Sequence, residues 1–243
     1  MKKFIIVSDI HGNHKDEAAC NAALAFNKDF NADIRIIAGD LWEFSSIRKG
    51  ASVDEQSSSM REDFEAGAEF ADAFFKGGKQ NHLMLGNHDV RVWDLAASTD
   101  GVKADLGHLM VQDIHKVARR NKASLVPYDS RTGVVQIGHL NVVHGFHTGT
   151  SACASHSRIY GNVVFGHCHS IESYQTPGLK QQEARCIGCL CKLDPDYANR
   201  KTGKLRWAHG FVAGWVHDDG TYSLFQIRGI NGKFYAPQNI KAY

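Results

Sequence analysis

Long hydrophobic runs are absent from this 243-residue sequence, and so is a strong excess of charge of either sign. No stretch approaches the roughly 20 apolar residues of a membrane-spanning helix, so we expect no membrane association. The formal net charge of +2 argues against a strongly basic nucleic-acid coat but leaves room for a local basic groove. The apolar run near the start, residues 4–7, is too short for a signal peptide.

The six cysteines lack the spacing of a disulfide framework, which favours a reducing compartment and a cytoplasmic location. Cys186, Cys189 and Cys191 are close together, but no second pair completes the four ligands of a structural zinc site. We therefore predict buried thiols on a strand or turn. Cys168 is likewise predicted to be a core thiol.

At 43% hydrophobic residues, the chain can bury the core of one large globular domain. We expect a single domain over residues 1–243, with a small cap or insert at about 44–80 and 90–125. The serine-rich segment 45–59 is predicted to be a loop. Helical periodicity is strongest at 15–26, 60–75 and 106–118, whereas strands are predicted at 4–7, 34–38, 82–85, 133–137, 140–143, 162–165, 211–216 and 221–227.

Polar side chains follow five of these apolar runs directly. Alternation along an extended chain directs Asp9 and His11 to the same side. In open α/β sheets the ligand site lies at the carboxyl edge, so later clusters should join this pair. The clusters are Asp9 with His11, Asp40, Asn87 with His88, His144, and His167 with His169.

This combination of side chains suits a centre of two divalent cations about 3.5–4 Å apart, with one bridging carboxylate. Mixed aspartate, asparagine and histidine ligands favour Mn, Fe, Ni or Zn over Ca or Mg.

The ordered pattern Asp9-x-His11, Gly39-Asp40, Gly86-Asn87-His88-Asp89, His144 and Gly166-His167-x-His169 resembles the calcineurin-like metallophosphoesterase family. The resemblance implies an α/β fold, an α/β/β/α sandwich of two mixed β-sheets flanked by helices. It also implies a metal-dependent hydrolase of phosphoester bonds that uses two divalent cations, with Mn²⁺ the first expectation and Fe, Ni or Zn the alternatives.

The resemblance further implies a role for each motif residue. Asp40 would bridge the two cations, and a hydroxide between the cations would attack phosphorus in line. His88, together with Asn87, would bind the substrate phosphate, and His88 would protonate the leaving oxygen. Asp89 would orient His88 through its other ring nitrogen. The expected ligands are Asp9, His11 and His169 for the first cation, and Asn87, His144 and His167 for the second.

One position departs from the family pattern. Glu43 stands where the family often has aspartate, and we predict that it lies outside the set of ligands. It is not followed by Arg-Gly, which argues against a protein serine/threonine phosphatase.

The substrate stays open between two hypotheses. The first is a phosphodiesterase or nuclease acting on DNA, RNA or a nucleotide, similar to bacterial and phage-encoded members and working in a bacterium or phage-infected cell. Its support is His88 and two groups of basic residues, namely Arg119, Arg120 and Lys122, and then Lys192, Arg200, Lys201, Lys204 and Arg206.

The alternative is a small-molecule phosphomonoesterase or pyrophosphohydrolase, of the nucleotide or UDP-sugar-lipid type. The block from Gly39 to Glu43 is similar to that of UDP-diacylglucosamine hydrolases, although those carry arginine in place of His88. A scaffold that lost its chemistry ranks last, because no ligand position is substituted. The oligomeric state is left open.

The tryptophans divide into two pairs. Trp42 and Trp93 closely follow motif residues and are predicted to wall the substrate pocket. Trp207 and Trp215 are predicted to lie in the core.

Overall fold

Helices and strands alternate through the first half of the chain, and strands dominate the second half. The computed structural model describes residues 1–179, 181–193, 206–230 and 232–235. In chain order the elements are β1 (Lys2–Val7), α1 (Glu17–Phe30), β2 (Ile34–Ala38), α2 (Val53–Ser57), α3 (Met60–Phe75), β3 (Gln80–Met84), α4 (Arg91–Ala96), α5 (Gly101–Arg120), β4 (Ala123–Val126), β5 (Val135–Ile137), β6 (Leu140–Val143), α6 (Ala152–Tyr160), β7 (Val163–Phe165), β8 (Ile171–Gln175), β9 (Glu183–Ile187), β10 (Gly210–Val216), β11 (Tyr222–Ile230) and β12 (Lys233–Phe234).

The larger sheet has the strand order β12-β11-β10-β1-β2-β3-β4. Strands β1 to β4 are parallel, because a helix returns the chain between each pair, whereas β10 pairs antiparallel with β1. The smaller sheet has the order β5-β6-β7-β9-β8, in which β6, β7 and β9 are parallel and both edge strands are antiparallel. Both sheets are therefore mixed, as expected.

Alternation along β1 places its apolar side chains in two different cores. Phe4 and Ile6 face the interior between the two sheets, where Val142 and Val164 of the smaller sheet meet them. Ile5 and Val7 face the opposite side, where they join a core that includes residues of α1, α3 and α5. Because a helix layer and a second sheet cover its two faces, β1 is buried from residue 4 onward.

A third core lies between the outer face of the smaller sheet and α6, around Phe165, Ala184 and Cys153. The order of layers is therefore helices, sheet, sheet, helix, which confirms the predicted α/β/β/α sandwich. Helices α3 and α5 both pack within the first helix layer. The division into one domain with a cap at 44–80 and 90–125 stays a prediction.

The segment 45–59 differs from its predicted loop. It contains a 3-10 turn at Ser45–Ile47 and the short helix α2, capped reciprocally by Ser52 and Glu55. Ser59 then caps α3 by accepting a hydrogen bond from the backbone N–H of Glu62. Ser52 and Ser59 are therefore helix caps. Across the part of the chain that the structure describes, no helix has both the length and the apolar character needed to cross a bilayer.

Candidate metal centre

The loops that follow β1, β2, β3, β6 and β7 meet at one edge of the sandwich. The first two are tied together, since the backbone N–H of Asp9 donates to the carbonyl of Gly39 and that of His11 to the carbonyl of Asp40, at 3.1 and 3.0 Å. The left-handed backbone region, unusual for residues other than glycine, recurs here. Among the described residues eight non-glycine positions have positive φ, and five of them are predicted ligands: Asp9, His11, Asp40, His167 and His169.

Asp40 occupies the middle of the cluster and is almost fully buried. Its Oδ1 accepts a hydrogen bond of 2.8 Å from the backbone N–H of His88, which leaves Oδ2 for the site. Oδ2 lies 3.2 Å from Nε2 of His144 and 4.0 Å from Nε2 of His11. One carboxylate oxygen thus faces both predicted ligand sets.

His144 presents a defined nitrogen to the site. Its Nδ1–H donates to the backbone carbonyl of Ala38 at 2.9 Å, so Nε2 points inward. Nε2 lies 3.1 Å from Oδ1 of Asn87. The side chain of His167 joins this group, because its ligand atom and those of Asp40 and His144 all lie within 4.8 Å of one another.

The second group contains Asp9, His11 and His169. Nε2 of His169 lies 3.1 Å from Oδ1 of Asp9 and 3.1 Å from Nε2 of His11. The other nitrogen of the His169 ring, Nδ1, lies 3.8 Å from the Sγ of Cys191. The structure therefore brings all seven predicted ligands together in two adjoining groups. The predicted burial of Cys186, Cys189 and Cys191 is confirmed, but the sequence did not indicate the contact with His169.

Glu43 forms hydrogen bonds with a predicted metal ligand, His11, and with the predicted proton donor, His88. Its Oε2 accepts hydrogen bonds from Nδ1 of His11 at 2.5 Å and from Nδ1 of His88 at 2.9 Å. Burial acts to raise the pKa of Glu43, but the two histidines outweigh it and lower the pKa far below its usual range. One charged carboxylate thus sets the orientation of a predicted ligand and of the predicted proton donor.

The expectation that Asp89 orients His88 is wrong. The two carboxylate oxygens of Asp89 accept hydrogen bonds from the backbone N–H groups of Trp42 and Gly86, at 2.9 and 2.7 Å. Asp89 therefore ties the loop after β2 to the loop after β3. Burial, and then the charge of Asp40, raise the pKa of Asp89 to about 7.

Asp63, which the sequence did not single out, supports the same loops from α3. Its buried carboxylate accepts hydrogen bonds from the backbone N–H groups of Asn13, Glu43 and Phe44, at 3.3, 3.2 and 2.9 Å. A capping serine before an acidic first turn is an ordinary helix start, so no sequence signal distinguishes this role.

The buried carboxylates of the cluster stabilise positive charge on the groups beside them. Burial acts to lower the pKa of His144, but Asp40 and Asp9 outweigh it and raise the pKa to about 10. Burial acts to raise the pKa of Asp40, but His144 and His88 outweigh it and lower the pKa well below its usual range. Divalent cations would supply the same positive charge, and the oxygen and imidazole donors are those that Mn, Fe, Ni and Zn accept. The residues present therefore fit such cations.

A groove of about 290 Å³ opens beside His167. Its lining corrects two expectations, because half-buried Cys168 and Trp207 face the groove instead of the core. The prediction that Trp42 and Trp93 wall the pocket is also wrong. Trp42 is fully buried and its Nε1–H donates to the carbonyl of Phe64, whereas Trp93 packs against His115 on the helix layer and does not line this groove. Trp215 lies in the core as predicted.

The basic residues singled out in the sequence lie in different parts of the structure. Arg120 pairs with Asp72 at 2.7 Å on the exposed side of α5. Arg206 lines the groove, whereas Arg200, Lys201 and Lys204 lie outside the described residues.

Several solved structures are similar to this chain. A single-site mutant of Vps29 from Entamoeba histolytica is 12% identical, with a TM-score of 0.51 over 96% of this chain and 96% of that chain. An archaeal phosphodiesterase is 14% identical, with a TM-score of 0.45 over 92% and 99% of the two chains. The phosphoesterase Yfce from E. coli is 16% identical, with a TM-score of 0.43 over 92% and 98%. At these identities the similarity concerns the fold alone.

No functionally curated protein matches the chain in sequence. The family model for calcineurin-like phosphoesterases matches residues 2–179, which is well over half of the chain and includes every predicted ligand. On this match, together with the layered fold and the clustered motif residues, the chain belongs to the calcineurin-like phosphoesterase family.

Proposed function

We propose that this chain is a phosphodiesterase that acts on nucleotides or nucleic acid with two divalent cations, Mn²⁺ first among them. The observation that carries the proposal is the position of Asp40 Oδ2, which lies 4.0 Å from Nε2 of His11 and 3.2 Å from Nε2 of His144. Asp9, His11 and His169 would hold one cation, Asn87, His144 and His167 would hold the other, and Asp40 would contact both. Bound cations would neutralise phosphate charge and lower the pKa of a coordinated water.

In this proposal His88 would act on the leaving group. Glu43 holds its Nδ1, so the ring presents Nε2 to the cluster, 3.9 Å from Oδ2 of Asp40. Nε2 of His88 would therefore lie beside an oxygen of a phosphate bound at the cluster. A proton could pass from Nε2 to the leaving oxygen. The backbone N–H of His88, bonded to Asp40, keeps this loop in register with the ligands.

A diester is favoured over a monoester by the open groove beside His167, which provides space for a second substituent on phosphorus. The cytoplasmic location belongs to the same proposal, because the described cysteines are all free thiols.

The test compares substrates on protein stripped with EDTA and reloaded with Mn²⁺. We expect bis(p-nitrophenyl) phosphate to be hydrolysed with a higher kcat/KM than p-nitrophenyl phosphate, and Asp40→Asn to lose both activities. Asp72→Asn, at an exposed aspartate outside the cluster, is the matched control. Preference for the monoester would support the phosphomonoesterase alternative, and failure to hydrolyse any ester with Mn²⁺ bound would refute the proposal.

A further inference from the structure

The groove beside His167 has one aromatic wall. The indole of Trp207 packs against the imidazole of His169, with ring centroids 4.2 Å apart and planes inclined by 59°. Backbone contacts hold the two segments together. Trp207 and Ser170 form an antiparallel β-bridge, and the backbone N–H of Ala208 donates to the carbonyl of His169. The aromatic wall is thus anchored to the segment that carries a predicted ligand.

Polar groups lie at the rim of the same groove. A guanidinium N–H of Arg206 pairs with the carboxylate of Glu172 at 3.2 Å, and both side chains line the groove. Thr148, between β6 and α6, also lines the groove. An aromatic wall with donors and an acceptor at its edge matches a planar heterocycle whose own edge carries hydrogen-bonding groups.

The size of the groove limits what it can hold. At about 290 Å³ it lies just below the volume range of typical ligand pockets, roughly 300–1,000 Å³. That volume suits one base and its sugar. A duplex would need a broad basic surface, but Arg120 is paired with Asp72 and the net charge is only +2.

We propose that this groove binds the nucleoside part of a mononucleotidyl phosphodiester, with the base stacked on Trp207 and its edge read by Arg206 and Glu172. The inference rests on the proposed phosphodiesterase activity and names its substrate class. The phosphate would lie at the metal centre beside His167. The oxygen of a water would bond to phosphorus while the bond from phosphorus to the oxygen of the second substituent breaks, so the products would be a nucleoside monophosphate and a protonated alcohol.

The experiment measures a ratio that damage to the metal centre alone does not change. We would determine kcat/KM on Mn²⁺-loaded protein for thymidine 5′-(p-nitrophenyl phosphate) and for methyl p-nitrophenyl phosphate, which lacks the nucleoside. Trp207→Ala should lower the ratio of the first value to the second by about 5- to 150-fold, the range that one stacked base produces. Trp207→Phe should retain part of the preference.

Trp93→Ala is the matched control, because Trp93 packs against His115 on the helix layer and does not line the groove. An unchanged ratio in Trp207→Ala would overturn the inference, as would an equal loss on both substrates, which would mean that Trp207 only supports His169.

A second readout separates the inference from the proposed function. Binding of adenosine 5′-monophosphate to the Mn²⁺-loaded protein is measured by titration calorimetry, with Trp207→Ala expected to weaken it by a similar factor. Binding that depends on Trp207 without hydrolysis of any ester would uphold the groove and refute the phosphodiesterase. Hydrolysis of both esters with no effect of Trp207→Ala in either assay would refute the groove alone.

Discussion

The replacement of Glu43 by glutamine tests the most connected side chain of the site. Glutamine keeps the size of the side chain but removes the negative charge that His11 and His88 share, at 2.5 and 2.9 Å. A hydrogen bond to a charged acceptor contributes about 1.5–3 kcal/mol, and one amide oxygen cannot replace two such bonds. Because loss of a partner behind a metal ligand lowers affinity about 10- to 100-fold, Mn²⁺ should bind that much more weakly.

The effects of this substitution on His11 and on His88 are detected by two different measurements. The effect through His11 appears as a higher Kd for Mn²⁺ in titration calorimetry, and the effect through His88 appears as a lower kcat at saturating Mn²⁺. Glu65→Gln is the control, because Glu65 is an exposed glutamate that pairs with Arg61 on the surface of α3. If Glu43→Gln bound Mn²⁺ and turned over substrate like this control, the shared carboxylate would have no positioning role.

Three further changes test other parts of the structure. His88→Asn should keep Mn²⁺ affinity within about threefold but lower kcat by about 10²- to 10⁴-fold in steady-state assays, as expected for loss of a general acid. Asp63→Ala should lower the free energy of unfolding in urea by about 1–3 kcal/mol, because buried N–H groups lose their acceptor, and a loss below about 0.5 kcal/mol would contradict this. Burial lowers the pKa of His156 to about 4, so the unfolded chain binds a proton near pH 6.5 that the folded chain does not. The free energy of unfolding should therefore fall by about 3 kcal/mol as pH drops from 6.5 to 4, and His156→Phe should lack this component.

Periodicity predicts some elements to the residue. The helix over 60–75 and the strand over 34–38 have the predicted bounds, because each has a long apolar pattern and a clear end signal. The spacing of polar residues after apolar runs also predicts which side chains converge, since parallel strands end at one edge of a sheet. Fold class and candidate ligands are therefore both accessible from the sequence.

Contacts between loops are harder to predict from the sequence. Asp89 follows His88 directly, yet its side chain turns to the backbone of Trp42, and Glu43 takes its expected place. Which carboxylate reaches an imidazole depends on loop dihedrals that no periodicity encodes. The exposure of Trp207 depends in the same way on how its segment pairs with Ser170, which is distant in sequence.

The left-handed backbone of the ligand loops has a consequence for how the protein acquires its cations. Hydrogen bonds between the loops after β1 and β2 join the backbone around Asp9, His11 and Asp40, three of the residues with positive φ. These contacts within the protein reduce the ordering entropy that the two loops would lose when cations bind. Chelation should accordingly empty the centre without unfolding the sheet edge, so that one preparation can be reconstituted in turn with manganese, iron, nickel and zinc.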